Sequence, residues 1–378
     1  MGKKKILVFI DWYLPGFRAG GPIRSCANMV AHLSDEFDFY IITSDTDYMS
    51  TSQYKSVKIN DWNILPDGSS VYYISKDKLN ASTIKFLLKK NDVDYYYMNG
   101  IYSYLFTQVP LQNIDKKKKK VIVAVRGMLA PSALSIKFFK KKLFFLYVKL
   151  TGLFDDIIFH TTTPQEKNQT ESIFKKSRIQ LAPNLSRTNT LIYTNQISKK
   201  ENELRLLNIA RIAPEKNLLF ALEILKNVRS RVVFDFFGPI YNETYWDECK
   251  KIISFLPENI TAVYKGVIED EYVFSIMKNY HFLFLPTRGE NFGHIILESF
   301  SSGLPAIISD QTPWNNLQLK NAGFDLTLQT PFEFSRVIDR CAQMSADEYS
   351  ILSSGASRLA ESFIKDEEKV NANRLLFS

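Results

Sequence analysis

The strongest constraint in this sequence is a series of short apolar runs that recur at intervals long enough to hold a helix. They fall into two sets, separated by a polar segment. The runs lie at Ile6–Ile10, Phe37–Thr43, Val71–Ile74, Tyr95–Met98, Val121–Val125 and Ile157–His160, and then at Arg205–Ala210, Val232–Phe237, Ile260–Tyr264, His281–Pro286 and Pro305–Ser309. Strands that alternate with helices are typical of a parallel sheet covered by helices. We therefore predict an α/β protein of two doubly wound, Rossmann-like domains.

The length of 378 residues exceeds what one hydrophobic core usually supports. Residues 1–187 are predicted to form the first domain and residues 204–356 the second. The polar segment 188–203 is predicted to be the linker, and a C-terminal helix over 357–378 is expected to be able to pack back on the first domain. Because open α/β sheets bind ligands at the carboxyl ends of their strands, we expect the two domains to face a central cleft.

Several classes of protein are excluded by the sequence. The three cysteines, Cys26, Cys249 and Cys341, lie far apart, which argues against a disulfide framework or a zinc site and for a reducing, cytoplasmic compartment. No apolar run reaches the length of a membrane span. The Gly-x-Gly-x-x-Gly fingerprint of nicotinamide-binding domains does not occur. The four histidines form no cluster. We expect no metal-binding Asp-x-Asp in the chain, and therefore a reaction that needs no metal.

The segment Leu285–Glu298 combines an apolar strand, a turn with Pro and Gly, and an apolar helix predicted to begin near Phe292-Gly293. A helix N-terminus exposes backbone N–H groups that bind phosphate or sugar oxygens. Glu290 is expected at the mouth of this helix and Glu298 slightly over two turns later, so that both carboxylates point to one side of it. Alternatively, Glu290 is only an acid favoured by the dipole at the helix start, and Glu298 is an ordinary surface residue.

Two cations follow the first strand of the second set. Arg211 and Lys216 lie in Ile209–Asn217, on the turn after that strand. Two positive charges on such a turn can neutralise a diphosphate leaving group as its negative charge grows. Taken alone, an Arg and a Lys on a loop are more often surface charges.

The spacing Glu290-x7-Glu298, with Phe292-Gly293 after the first acid, resembles the signature of the retaining glycosyltransferases of family 4, which have the GT-B fold. The resemblance implies that Glu298 binds the ribose hydroxyls of a nucleotide. It also implies that Glu290 and the residues after it, Asn291, Phe292 and Gly293, contact the donor sugar and its diphosphate.

Further segments extend the resemblance. Arg211, Lys216 and Asn217 match the family's Gly-Arg-x-x-x-x-Lys-Asn, with Ala210 in place of the glycine, which implies that both cations act on the donor diphosphate. Val267 matches the segment whose backbone holds the base, although a turn without base contact is the alternative. The remaining matching segments are Ser301–Ile307 and Gln311–Trp314.

The first half also matches the family. Gly20 and Gly21 follow the first predicted strand, and the resemblance implies that they face the donor diphosphate and the acceptor. A flexible loop is the alternative. His160, in His-x-Thr-x-x-x-Glu, is implied to be catalytic by positioning the reacting face of the donor sugar, and Arg126 is implied to lie on the acceptor side. Alternatively, His160 has a purely structural role, and Glu166 is an acid at the start of a helix.

The charge of the chain is unevenly distributed. Up to Arg187 there are 28 Lys and Arg against 16 Asp and Glu, whereas the remainder is mildly acidic. Lys116–Lys120 and the basic, aromatic stretch Lys137–Phe145 suit an anionic membrane surface. On a helical wheel, however, the lysines do not segregate cleanly, and solvated lysines around core aromatics are the alternative. No nucleic-acid-binding motif accompanies the charge, so no nucleic-acid partner is expected.

The resemblance thus implies a retaining transferase of a hexose or N-acetylhexosamine from a nucleotide sugar, with a UDP-sugar favoured over a GDP-sugar. The expected acceptor is a glycan linked to polyprenyl diphosphate, used in bacterial surface polysaccharide such as the O-antigen of lipopolysaccharide or a capsule. The enzyme would then act at the inner face of the plasma membrane as a peripheral protein. The alternatives are a soluble acceptor, a nucleotide-sugar epimerase, and a non-catalytic sugar-nucleotide-binding subunit.

Overall fold

The computed structural model describes residues 2–135, 138–175, 177–188, 190–193 and 197–378. The chain divides into two compact units. The first comprises Met1–Thr188 and Glu367–Ser378, and the second Asn189–Asp366. Each unit is built around one sheet, which confirms the predicted pair of Rossmann-like α/β domains.

The first unit contains an eight-stranded sheet with the order β3-β4-β2-β1-β5-β6-β7-β8. The strands are β1 (Lys4–Phe9), β2 (Phe37–Ser44), β3 (Trp62–Ile64), β4 (Ser70–Ile74), β5 (Tyr95–Asn99), β6 (Lys120–Ala124), β7 (Ile158–Thr161) and β8 (Arg178–Leu181). All neighbouring pairs are parallel except β3 and β4. The chain adds strands first on one side of β1 and then on the other, so the switch point of the sheet lies between β1 and β5.

Buried clusters cover both faces of this sheet. Leu7 and Phe9 of β1 belong to one cluster, and Ile6 and Val8 belong to the other, because successive side chains of a strand point to opposite faces. The helices of the first unit are α1 (Gly21–Leu33), α2 (Ala81–Lys90), α3 (Val109–Asn113), α4 (Pro131–Ser135), α5 (Phe138–Thr151) and α6 (Pro164–Ile173), with one π-helical turn at Tyr104–Gln108.

The second unit contains a six-stranded sheet with the order β11-β10-β9-β12-β13-β14. All of its pairs are parallel. Its strands are β9 (Glu203–Ile209), β10 (Arg231–Phe237), β11 (Ile260–Tyr264), β12 (Phe282–Leu285), β13 (Ala306–Ser309) and β14 (Gly323–Leu326). Its helices are α7 (Leu218–Leu225), α8 (Glu243–Ile253), α9 (Val273–Met277), α10 (His294–Ser301), α11 (Pro331–Gln343) and α12 (Ala346–Ile364), with single 3-10 turns at Pro214–Lys216 and Asp270–Tyr272.

The last residues of the chain return to the first unit. Helix α13 (Glu367–Arg374) is followed by a 3-10 turn at Leu375–Phe377. The side chain of Phe377 is fully buried and lies 5.5 Å from the ring of Phe37 and 5.8 Å from that of Tyr95, measured between ring centroids. The amide of Asn373 donates to the carbonyl of Pro183 at 2.8 Å. The last residues of the chain therefore pack into the same hydrophobic core as residues of β2 and β5.

Each predicted apolar run overlaps a strand of the structure, but three strands were not predicted. These are β3, β8 and β14, and each lies at an edge of its sheet. Edge strands are covered on fewer sides, so they need no continuous apolar run. Arg178–Leu181, for example, alternates polar and apolar residues and is half-exposed.

The predicted linker at 188–203 includes residues 189 and 194–196, which lie outside the described residues, as does Lys137 of the basic stretch. The structure divides the chain at 188/189 and again at 366/367, so the predicted C-terminal segment 357–378 is shared between the end of α12 and α13. Within the described ranges, none of the helices combines the length and the apolar character that crossing a bilayer requires.

The role of Phe377 in the core can be tested by truncating its side chain. Phe377→Ala is expected to lower the free energy of unfolding of the first unit by about 3–5 kcal/mol, because it leaves a cavity among aromatic rings. The matched control is Phe255→Ala, since Phe255 is 77% exposed and its loss is expected to cost less than about 0.5 kcal/mol. In thermal denaturation, equal shifts for both variants would contradict the assignment.

Candidate active site

Apart from Glu298, the candidate residues of the second unit lie in segments that follow strands of its sheet. Arg211 follows β9, Val267 follows β11, Glu290 follows β12, and Gln311 follows β13. Because all six strands are parallel, these turns meet at one edge, the carboxyl edge, where doubly wound sheets bind ligands.

Lys216 and Glu290 form an ion pair between two of these turns. The Nζ of Lys216 contacts Oε1 of Glu290, and only 17% and 12% of the two side chains are exposed. The backbone N–H of Glu290 in turn donates to the carbonyl of Gln311 at 2.9 Å. A cation and an acid that are distant in sequence are thus held together at the sheet edge.

The turn at 213–217 is bonded to the turn after β12 on either side of that ion pair. The carbonyl of Glu215 accepts the N–H of Arg288 at 2.9 Å and the hydroxyl of Thr287 at 3.1 Å. The side-chain amide of Asn217 donates to the carbonyl of Pro286 at 2.9 Å, and its oxygen accepts Nε of Arg288 at 3.1 Å. These bonds fix where Lys216 meets its partner.

Arg211 lies on the same turn but has different neighbours. Its Nη2 is 3.2 Å from Oε1 of Glu215, and its guanidinium stands 5.0 Å from the centroid of the Tyr241 ring. The chain after β10 packs closely against the residue that precedes Arg211, since a Cβ on Gly238 would come within 1.9 Å of the carbonyl oxygen of Ala210. Arg211 is therefore held from two sides while remaining partly exposed.

Glu290 lies before the helix that carries Glu298, as its predicted place at the mouth of that helix requires, but the predicted helical relation between the two acids needs a correction. Helix α10 begins at His294, and Gly293 before it adopts the left-handed conformation with φ 76°. That conformation breaks the helical path, so Glu290 belongs to the preceding turn. Glu298 lies within α10 and is buried. Glu290 therefore lies on a turn and Glu298 on a helix, so helical spacing does not set the directions of both carboxylates.

Phe292 anchors the loop before α10. Its buried ring lies 5.7 Å from that of Trp314 and 5.4 Å from that of Phe363, and its carbonyl accepts the indole N–H of Trp314 at 2.6 Å. Any ligand contact of Phe292 must therefore come from its backbone. Asn291 beside it is half-exposed, and Val267 is exposed after the turn at Gly266.

In the first unit, the glycine loop precedes α1. Gly20 has φ 73°, and a Cβ on either Gly20 or Gly21 would meet no atom within 4 Å. The space above both glycines is therefore open. The carboxylate of Asp47 holds the loop, because it accepts the N–H groups of Phe17 at 2.9 Å and Arg18 at 3.1 Å.

Arg126 of the first unit is held by three side-chain hydrogen bonds. Its backbone is left-handed, with φ 55°. Its guanidinium donates to the side-chain oxygens of Asn99 and Asn184, both at 2.7 Å, and to the hydroxyl of Tyr97 at 2.8 Å. It follows β6 at the carboxyl edge of the sheet, and these three bonds fix its direction.

His160 lies in the interior of β7, not at a ligand-binding surface. It is 1% exposed, its Nε2 is 2.8 Å from the carbonyl of Ala182, and its Nδ1 is 2.8 Å from the hydroxyl of Tyr97. A carbonyl only accepts, so Nε2 carries the proton and Nδ1 accepts from Tyr97. Burial, and then the charge of Arg126, lower the pKa of His160 to about 3. The implied contact of His160 with a donor sugar is therefore corrected: it supports Arg126 through Tyr97.

Glu166 is likewise structural. Its buried carboxylate accepts the N–H of Gly127, and the N–H and hydroxyl of Thr162 at 2.6 and 2.9 Å. It thereby joins the turns after β6 and β7, and it lies in the first turn of α6, where the helix dipole favours an acid.

One polar residue at the carboxyl edge of the first sheet was not predicted. Asp11 follows β1, accepts the hydroxyl of Ser103 at 2.7 Å, and has its pKa raised by burial. In the sequence, Asp11 could have been identified by its position directly after the buried run Ile6–Ile10. A carboxyl group at the switch point of the sheet is a candidate contact for a hydroxyl-bearing ligand.

The part of the chain that the structure describes contains no group of three or more His, Cys, Asp or Glu residues arranged to hold a metal. The expectation of no Asp-x-Asp needs a correction, because the sequence contains one at Asp45-Thr46-Asp47. Asp47 is occupied with the glycine loop as described, and Asp45 accepts the amide of Gln53 at 2.6 Å. These acids serve loop structure in the first unit.

Burial of neutral His160 makes stability depend on pH. Its folded pKa, about 3, lies below the ordinary 6.5, so between these values the unfolded chain binds a proton that the folded one does not. Stability should therefore fall with falling pH, and His160→Gln should reduce that slope by about 1.4 kcal/mol per pH unit. Unfolding in urea between pH 6.5 and 4 measures this. Identical slopes for both proteins would contradict the assignment.

Solved structures with a similar fold span nearly the whole chain. HepE of Anabaena, in complex with UDP and glucose, is 13% identical with a TM-score of 0.71, covering 99% of this chain and 98% of that chain. Sucrose-phosphate synthase of Thermosynechococcus elongatus is 14% identical with a TM-score of 0.76, at 99% and 98% coverage. WaaG, a glycosyltransferase involved in lipopolysaccharide biosynthesis, is 12% identical with a TM-score of 0.70, at 98% and 99% coverage. At such identities the likeness establishes the fold, GT-B.

In sequence, residues 191–328 match the family described as Glycosyl transferases group 1. No curated protein matches the chain. The matched range contains both turns that carry Lys216 and Glu290. The family match over the second unit and the fold of the whole chain together support a glycosyltransferase of the GT-B class.

Proposed function

We propose that this protein is a retaining glycosyltransferase of family 4 that transfers a hexose or N-acetylhexosamine from a UDP-sugar. The observation that carries the proposal is the junction at the carboxyl edge of the second sheet, where Lys216 and Glu290 pair and Arg211 lies on the same turn as Lys216. A site of this kind, with cations and an acid side by side, suits a ligand that has both phosphates and hydroxyls.

In the proposed complex, Arg211 and Lys216 bind the diphosphate. An ammonium has three donors, so Lys216 can keep its bond to Glu290 while it binds a phosphate oxygen. The other oxygen of Glu290 then accepts a hydroxyl of the donor sugar. Amides at the start of α10 add donors for the phosphates, and Glu298 and Val267 are assigned to the ribose and the base.

The proposed reaction breaks the bond between the anomeric carbon and the diphosphate oxygen, and forms a bond from the same carbon to the acceptor oxygen on the same face. The departing diphosphate oxygen takes the acceptor proton. Negative charge grows on that diphosphate in the transition state, where two fixed cations stabilise it more than in the ground state. In the proposal, Gly20 and Gly21 of the first unit contact the donor diphosphate, Arg126 and Asp11 are assigned to the acceptor side, and no metal is required.

The proposed acceptor is a glycan on polyprenyl diphosphate, used for a bacterial surface polysaccharide at the cytoplasmic face of the membrane. The excess of basic residues before Arg187 supports an anionic, lipid-linked acceptor. The likeness to HepE, whose structure contains UDP and glucose, supports UDP as the carrier. The likeness to WaaG, which acts in lipopolysaccharide biosynthesis, supports the pathway.

A second candidate is transfer to a soluble acceptor, which the likeness to sucrose-phosphate synthase favours. The two candidate functions differ in the acceptor that must be present for UDP to be released from the donor. Incubation with donor and either a polyprenyl-diphosphate glycan or sugar phosphates distinguishes them, and isomerisation of the donor without an acceptor would instead identify an epimerase.

The two cations are expected to be essential for turnover. Lys216→Ala and Arg211→Ala should each lower kcat by about 10²–10³-fold, because each removes a charge that stabilises the leaving diphosphate. Lys226→Ala is the matched control, since Lys226 follows the last residue of α7 and pairs with Glu223. UDP release from a panel of UDP-sugars measures the rates, with EDTA added to test metal independence. Wild-type rates in both site variants would refute the proposal.

Retention is expected to be visible in the product. Because donor and acceptor oxygens share one face in the proposed path, a UDP-α-sugar should give an α-linked product. The one-bond C–H coupling at the new anomeric centre measures this by NMR. A β-linked product would show that a different path operates, even if the sugar is transferred.

A further inference from the structure

Helix α5 has two apolar faces, and among the residues that the structure describes only one of them packs against the protein. On the inner face, Phe144 lies 5.1 Å from the ring of Tyr102, Phe145 lies 6.1 Å from that of Phe174, and Val148 is buried. These contacts account for how the helix is held on the first unit. They leave the outer face without a structural role.

The outer face carries a continuous apolar stripe, which consists of Phe139, Leu143, Leu146 and Leu150. Their exposed fractions are 80%, 67%, 53% and 77%. At 3.6 residues per turn, the four fall within about 60° of arc on the helix. Single exposed apolar residues are ordinary, but a contiguous row of large ones marks a binding surface.

Lysines border this stripe on both sides. By the same helical geometry, Lys142 and Lys149 lie on one flank and Lys140 on the other, and all three are exposed. Lys141, in contrast, turns inward: it donates to the carbonyl of Ala133 and lies 5.2 Å from the centroid of the Tyr102 ring. The structure thus distinguishes the lysines that border the stripe from Lys141, which packs against the protein, whereas the helical wheel alone showed no clean segregation. No acid occurs between 138 and 151.

We propose that α5 binds in the surface of an anionic lipid bilayer. The stripe enters the region below the headgroups, and the three lysines extend their ammonium groups to lipid phosphates, as long basic side chains do at membrane interfaces. The fourteen residues of α5 measure about 21 Å, too short to cross the ~30 Å hydrocarbon layer, so the helix lies in the interface. This inference deepens the proposed function, which places the acceptor on a lipid.

A bilayer fits the surface better than a protein partner does. The stripe offers no polar group between its apolar residues, and its borders carry one sign of charge only. An anionic lipid surface supplies apolar chains bordered by phosphates along the whole 14-residue length, which complements both features at once.

Co-sedimentation with vesicles tests the inference, with no nucleotide sugar present, so that its failure leaves the proposed sugar transfer unaffected. The full chain should bind vesicles of equal parts phosphatidylcholine and phosphatidylglycerol. Phe139→Ala combined with Leu150→Ala should lower the partition coefficient about tenfold or more, because two side chains no longer enter the bilayer. Phe255→Ala combined with Leu319→Ala is the matched control, since these residues are 77% and 85% exposed on the second unit.

The lysines should act only through the lipid charge. Changing Lys140, Lys142 and Lys149 together to Gln should lower binding to the anionic vesicles about tenfold or more and leave the weaker binding to pure phosphatidylcholine unchanged. The same change at Lys55, Lys58 and Lys76 removes equal charge elsewhere on the first unit and should have a much smaller effect.

Three results would overturn the inference: wild-type protein that stays in the supernatant, equal losses for site and control variants, or a stripe variant that changes only the sedimentation coefficient of the protein without lipid. The last result would identify a second copy of the chain as the occupant. If the double variant does not fold, Phe139→Trp provides an independent measurement. Its emission should shift to shorter wavelength when anionic vesicles are added, and an unchanged spectrum would contradict insertion.

Discussion

The candidate site depends on one junction, in which the turn after β9 is hydrogen-bonded to the turn after β12. The carbonyl of Glu215 and the side-chain amide of Asn217 make the bonds. The loss of hydration on burial offsets much of the attraction within a largely buried ion pair, so the attraction between Lys216 and Glu290 would not by itself align these turns. The hydrogen bonds of the neighbouring amides and carbonyls align the two turns. They thereby fix the positions of the charged side chains of Lys216 and Glu290.

Much of the fold was predictable because its central strands are buried on both faces and leave continuous apolar runs. The edge strands β3, β8 and β14 leave weaker patterns, since part of each faces solvent. In the site, the spacing of Arg211, Lys216 and Glu290 identified residues that the structure brings to one sheet edge. Their pairing was not predictable, because it depends on bonds between turns about 70 residues apart.

Two of the corrections have local physical causes. A left-handed Gly293 separates Glu290 from the helix, which a spacing rule for helices cannot detect. His160 sits at a strand end in sequence, but its strand lies between β6 and β8, so its ring is enclosed and bonded on both nitrogens. Helix α5 is a third case: with apolar residues on two faces, a helical wheel alone cannot tell which face the protein itself covers.

The position of Phe377 in the core of the first unit has a consequence for how the protein is made. The residues of the second unit are synthesised between the two parts of the first. The second unit is therefore complete in sequence before the first can close its hydrophobic interior. Until residues 375–377 have been synthesised, the rings of Phe37 and Tyr95 cannot pack against Phe377. The first unit of the nascent chain therefore exposes apolar surface, which chaperones are expected to bind.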